Sequence, residues 1–323
     1  MTTRQNRSAQ RQEKKRQQRR KRTGIALALI LLLISTFLVV KTNAISHLFN
    51  HETTKTSTAI SKSSEKNTAK KSETEQSTTA SSATAAAAAD VNWVKQKAPV
   101  KVPILMYHAI HVMGAGEEAN ANLIVDPTTF ESHLQALQNA GYYTLSPEEA
   151  YKVLTENVLP EGKKVVWLTF DDSLWDFHDV AYPILKKYNM KATNNVITGT
   201  VGNQGNLTLE QMKEMKQHNI SLQSHTVNHP DLEYSSIENQ TAELQNSKHY
   251  LDTELNQDTI AVAYPAGRYS NDTLTIAGNS NYKLGVTTNE GLATAANGLL
   301  SLNRVRMLPV TTAVILLQSI ATE

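Results

Sequence analysis

The sequence contains no cysteine. In an exported chain this excludes disulfides, and it excludes thiolate metal sites anywhere, so that a bound metal must be held by histidine and carboxylate. An excess of one charge is also missing. The formal net charge is only +2, which gives no reason to expect nucleic acid as the main partner. Large apolar residues are almost absent from Thr53 to Asp90, a stretch of Ser, Thr, Lys, Glu and Ala that cannot bury enough surface to offset its ordering entropy. No histidine occurs after His249, an absence that bears on the chemistry below.

What is present at the N-terminus is positive charge followed by one apolar run. Residues 1–23 carry ten Arg and Lys against the single Glu13 and are expected in the cytoplasm. Residues 24–40 (GIALALILLLISTFLVV) are apolar apart from two hydroxyl residues. They lie at the short end of the roughly 17–25 residues that span a bilayer. This predicts a membrane anchor with the remaining chain outside the cell. Cleavage near Thr42, Asn43 and Ala44 would instead release a secreted protein. Residues 41–98 then read as a disordered tether, with an r.m.s. reach on the order of 40 Å for about 50 residues.

Residues 99–323 change character. Short β-branched runs alternate with amphipathic segments, the pattern of an α/β domain with parallel strands and outer helices, as an open sheet or a barrel. Strands are expected at 103–107, 164–170, 192–197, 221–224, 260–264 and 284–287. Helices are expected at 127–140, 147–155, 179–188, 208–218 and 237–255, the first opened by Asp126 and closed by Gly141. Polar residues cluster where three of these strands stop: Asp171 and Asp172, His225 and His229, Pro265 and Gly267. The C-terminal strand ends are where barrel active sites are built, so one convergent site is expected.

Thr169-Phe-Asp-Asp172 sets two carboxylates side by side, an arrangement whose repulsion falls if one binds a cation and the other accepts a proton. Alone it reads equally as a helix N-cap pair. Ser224-His-Thr-Val-Asn-His-Pro230 places two histidines four apart, and Pro230 disfavours helical geometry at His229, so the pair belongs on a loop. Taken alone the two are ordinary polar loop residues. Together with an Asp they make three protein ligands and leave an open position, the arrangement of a catalytic metal. Metal-assisted hydrolysis of an amide or ester follows.

These motifs, with Tyr264-Pro-Ala-Gly267, Val102-Pro-Ile-Leu-Met-Tyr-His108, Ala181-Tyr-Pro-Ile-Leu185 and Thr198-Gly-Thr-Val-Gly202, resemble carbohydrate esterase family 4, the NodB-type polysaccharide deacetylases. The likeness spans Val102 to Pro309. It implies a distorted (β/α) barrel with fewer than eight strands. It implies Asp171 as catalytic base, Asp172, His225 and His229 as ligands of a divalent metal (zinc first, with cobalt or manganese as alternatives), and the backbone N–H of Ala266 as oxyanion donor. The reaction implied is removal of acetyl groups from N-acetylglucosamine units of a polysaccharide.

The chain departs from the family in three places. An Arg is usual two residues before the Pro of the third motif, where Ala263 stands, so Arg304 or Arg306 is expected to orient the base instead. A C-terminal His that serves as general acid is missing; His108 is the candidate, His178 a weaker one. Ser173 replaces a frequent Gly. Trp167 and Trp175 suit either a sugar subsite or packing. Two other functions fit these departures: an O-acetyl esterase acting on a glycan, and a glycan-binding module with weakened catalysis.

Overall fold

The computed structural model describes residues 91–322. The predicted basic segment, membrane span and most of the tether lie outside them. Among the described residues no helix is long and apolar enough to cross a membrane.

Seven strands close into a ring: β1 (Ile104–Tyr107), β2 (Lys164–Phe170), β3 (Ala192–Val196), β4 (Ile220–Ser224), β5 (Ala261–Ala263), β6 (Leu284–Glu290) and β7 (Leu302–Arg306). Each is parallel to its sequence neighbours, and β7 returns to pair with β1. The fold is therefore a distorted (β/α) barrel of fewer than eight strands. Its irregularity has a local cause in β2, whose Lys164–Val166 half pairs with the short strand Tyr142–Thr144 and whose Trp167–Phe170 half pairs with β1.

The helices are α1 (Pro127–Asn139), α2 (Pro147–Glu156), α3 (Tyr182–Lys187), α4 (Leu209–Lys216), α5 (Ile237–Leu255), α6 (Asn271–Asn279) and α7 (Ala313–Ser319). Their starts follow capping chemistry. The Asp126 carboxylate accepts from Thr128 N–H, and Ser146/Glu149 and Thr208/Gln211 form reciprocal capping boxes. Because helices cover the ring, its strands are buried on both faces and read as apolar runs. Ile104, Trp167, Ala263, Val286 and Leu302, from five strands, form one cluster inside the ring, while Leu105, Phe170 and Leu222 join the layer beneath the helices.

Several boundaries differ from expectation. Ordered structure starts before residue 99: Trp93–Lys95, inside the predicted tether, pairs antiparallel with Val158–Pro160. The backbone pairing and the packing of Trp93 against the core outweigh the polar composition around it. The helix expected at 179–188 is a π-turn over Phe177–Ala181 that passes into α3. The strand expected at 260–264 is only Ala261–Ala263.

Candidate active site

The upper layer of the barrel is polar. Arg304, on β7, is fully buried and extends across the ring. Its Nε–H donates to the Thr287 carbonyl at 2.7 Å, and Nη1 donates to Thr169 Oγ1 at 3.1 Å. The guanidinium also forks onto Asp171, with Nη1 to Oδ1 at 2.9 Å and Nη2 to Oδ2 at 2.7 Å. Asn195 Nδ2, on β3, donates to the same Oδ1 at 2.7 Å. Burial of Asp171 opposes its charge, but the guanidinium of Arg304 and the nearby His225 outweigh that and hold the carboxyl well below the usual carboxylate range. The result is a carboxylate that rests ionised and is held in one orientation. Arg304 therefore makes the contact with Asp171, and no such contact is made by Arg306.

Asp172 lies one residue further, with its side chain a quarter exposed. Its Oδ1 is 3.4 Å from His225 Nε2 and 3.6 Å from His229 Nε2, and one donor atom from each of the three residues lies within 4.8 Å of the others. His225 Nδ1–H donates to the Ala263 carbonyl at 2.7 Å, which turns Nε2 toward Asp172; burial opposes the charge of this imidazole, but the bond to Asp172 and the two carboxylates raise its proton affinity. The imidazoles meet edge to face, with centroids 4.7 Å apart. Burial lowers the proton affinity of His229, which suits a neutral ligand nitrogen.

The backbone at these strand ends is strained. Ten described non-glycine residues have positive φ, and five of them are asparagines. The other five are Asp172 (75°), Ser173 (48°), Thr226 (67°), His229 (56°) and Ala266 (52°), all on the three site loops. Left-handed backbone costs on the order of 1–3 kcal/mol per residue and persists only where the surroundings enforce it. Glu243, buried on α5, provides part of that enforcement. Its Oε2 accepts from the N–H groups of Val227 and Asn228, each at 2.8 Å, and its Oε1 accepts from Asn228 Nδ2 at 2.7 Å. At Gly267 a Cβ would lie 2.1 Å from Thr288 Oγ1, so only glycine fits against β6.

His108 follows β1 and is within electrostatic reach of Asp171, Asp172, Arg304 and His225. Burial lowers its proton affinity, and the two carboxylates only partly restore it. His178 is elsewhere, bonded to Asp179 at 2.7 Å and 3.4 Å from Glu214. Ala266 is exposed at the tip of the loop after β5. Trp167 is a core residue, 1% exposed, and its Nε1–H donates to Thr193 at 2.8 Å; Trp175 is 43% exposed. Asn195 and Glu243 were not foreseen, because a lone Asn in a strand and a lone Glu in a helix give no spacing signal.

A family model described as polysaccharide deacetylase matches residues 159–285. The Bacillus subtilis (strain 168) protein YxkH, provisionally named a polysaccharide deacetylase, is 42% identical over 67% of this chain and 75% of its own length. A poly-beta-1,6-N-acetyl-D-glucosamine N-deacetylase of Staphylococcus aureus is 29% identical over 54% of this chain and 64% of its own length. Among solved structures, the Streptococcus pyogenes deacetylase PplD, in complex with acetate, is 64% identical with a TM-score of 0.67, over 69% of this chain and all of that one. BC0361, a polysaccharide deacetylase from Bacillus cereus, is 30% identical with a TM-score of 0.62, over 69% of this chain and 70% of that one. With this fold, this arrangement of carboxylates and imidazoles, and these relatives, the chain belongs to the polysaccharide deacetylase family.

Proposed function

We propose that this protein hydrolyses N-acetyl groups from N-acetylglucosamine units of a cell-wall or extracellular polysaccharide, using a divalent cation, zinc first, held by Asp172, His225 and His229. The observation that carries the reading is the pairing of two devices at one barrel mouth. A carboxylate kept ionised by Arg304 directly precedes a carboxylate that faces two imidazoles. Two imidazole nitrogens and one carboxylate oxygen form a donor set that zinc accepts, and three protein ligands leave positions for small molecules. A divalent ion held by these three residues would supply Lewis-acid chemistry toward water and the acetyl carbonyl.

The chain's own residues supply the rest. Asp171 takes the proton of the attacking water, and the Arg304 fork keeps both its oxygens oriented. The Ala266 N–H donates to the oxygen that becomes negative as the acetyl carbon turns tetrahedral. His108, within electrostatic reach of both carboxylates, gives a proton to the leaving nitrogen. Arg304 answers the departure at Ala263, which removes one of the two motives for reading the chain as a weakened binder; the missing C-terminal His is the other. The acetate in the PplD complex agrees with the leaving acyl group. An anchor at the apolar run 24–40 would hold the domain outside the membrane, near such a polymer.

The test is acetate release from N-acetylglucosamine oligomers. Asp171→Asn is expected to lower it by about 10²–10⁴-fold, the usual contribution of a general base. A chelator should abolish release and added zinc restore it. Equal rates from wild type and D171N would sink the assignment.

A further inference from the structure

The loops after β1 and β2, neighbours in the ring, build a second feature beside the site. Trp175 follows Asp172 by three residues and is 43% exposed. Its loop does not hang free. Trp175 N–H donates to the Gly205 carbonyl at 3.0 Å, Leu174 bridges Asn206, and Leu207 N–H donates to the Ser173 carbonyl at 2.9 Å. The His111 imidazole stacks on the indole with centroids 5.9 Å apart and planes 25° from parallel.

His111 is itself clamped. Its Nδ1 is 2.6 Å from Oδ2 of the fully buried Asp176, and its Nε2 is 3.2 Å from Glu117, which also accepts from Gly114 N–H at 2.6 Å. Asp176 Oδ2 further accepts from Ile110 N–H at 2.7 Å, which ties the loop after β1 to the loop after β2. The indole is a large aromatic fixed on a rigid loop, partly bare, and backed by the His111–Asp176 pair, and its bare side has no packing role.

We propose that Trp175, supported by His111 and Asp176, is a stacking platform for a pyranose ring next to the acetylated sugar. The inference rests on the glycan reading of the site. The indole face matches the apolar C–H face of a sugar, and the polar indole edge suits its hydroxyls. Trp175 is a specificity element, and His111 and Asp176 are positioning residues.

The experiment is calorimetric binding to the full chain carrying Asp171→Asn, so that turnover does not interfere, with N-acetylglucosamine oligomers of two and of six residues. The hexamer is expected to bind about tenfold more tightly than the dimer. Adding Trp175→Ala should remove that difference, Trp175→Phe should retain part of it, and the far-UV spectrum should be unchanged. Hexamer and dimer binding alike in D171N, or a W175A chain that keeps the full difference, overturns the platform. Acetate release by the wild type, measured in parallel, decides the deacetylase reading separately.

Discussion

At the scale of single residues, Arg304 carries a load that lysine cannot. Its four hydrogen bonds leave in different directions from one planar group, two of them to the same carboxylate. An ammonium group brings the charge without the fork. Arg304→Lys should therefore fold, since Asp171 keeps a cationic neighbour, yet lower kcat for acetate release by about tenfold or more, with KM changed little. Arg304→Ala is a different experiment. It leaves a buried carboxylate unpaired, at a cost of about 3–5 kcal/mol measured by denaturant unfolding. Turnover by R304K equal to wild type would show that charge alone positions Asp171.

At the scale of elements, the loop Thr226–His229 and helix α5 form one device. A loop with left-handed residues at both ends would drift without an acceptor for its amides, and Glu243 supplies it from a helix turned toward the barrel. Glu243→Ala should weaken zinc binding about 10–100-fold by titration, the usual loss when a group behind a metal ligand is removed. Unchanged zinc affinity in a folded variant would show that the loop holds its shape unaided. This device also marks how far the sequence could be read. The convergence of Asp172, His225 and His229 was legible from their residue types at strand ends, and Pro230 pointed to a loop for the histidine pair. Glu243 was not, because only packing decides which face of α5 meets the loop. The reach of Arg304 from the last strand back to Asp171 became certain only once β7 closed onto β1. The π-turn before α3 and the strand at Trp93–Lys95 escaped for a related reason: both depend on tertiary contacts that override local pattern.

At the scale of the molecule, alternating strand and helix patterns implied a parallel ring, and strands buried on both faces betrayed themselves as apolar runs. Closure at seven was not readable, since it depends on β2 changing partners midway. The mouth of that ring is held across β1 and β2 by His111 and Asp176, and this seam links stability to pH. Burial opposes the imidazolium of His111, but bonding to Asp176 and Glu117 raises its proton affinity above the ordinary value of 6.5. Stability from such a group is complete below the unfolded value and is lost as pH rises through the folded one. Asp176 acts in the same sense: burial raises its proton affinity above the ordinary 3.8 despite the bond from His111, so its ionisation also favours the unfolded chain as pH rises. Glu117 is held below its usual range by the Gly114 N–H and His111, so it stays ionised through the neutral window and leaves the sign unchanged. The comparison is wild type against His111→Gln, which keeps a donor but does not titrate. The Tm advantage of wild type should be largest near about pH 5.5 and shrink toward about pH 8.5. An advantage that grows with pH would mean that His111 is neutral in the folded protein, and that the clamp behind Trp175 is a neutral hydrogen bond instead of an ion pair.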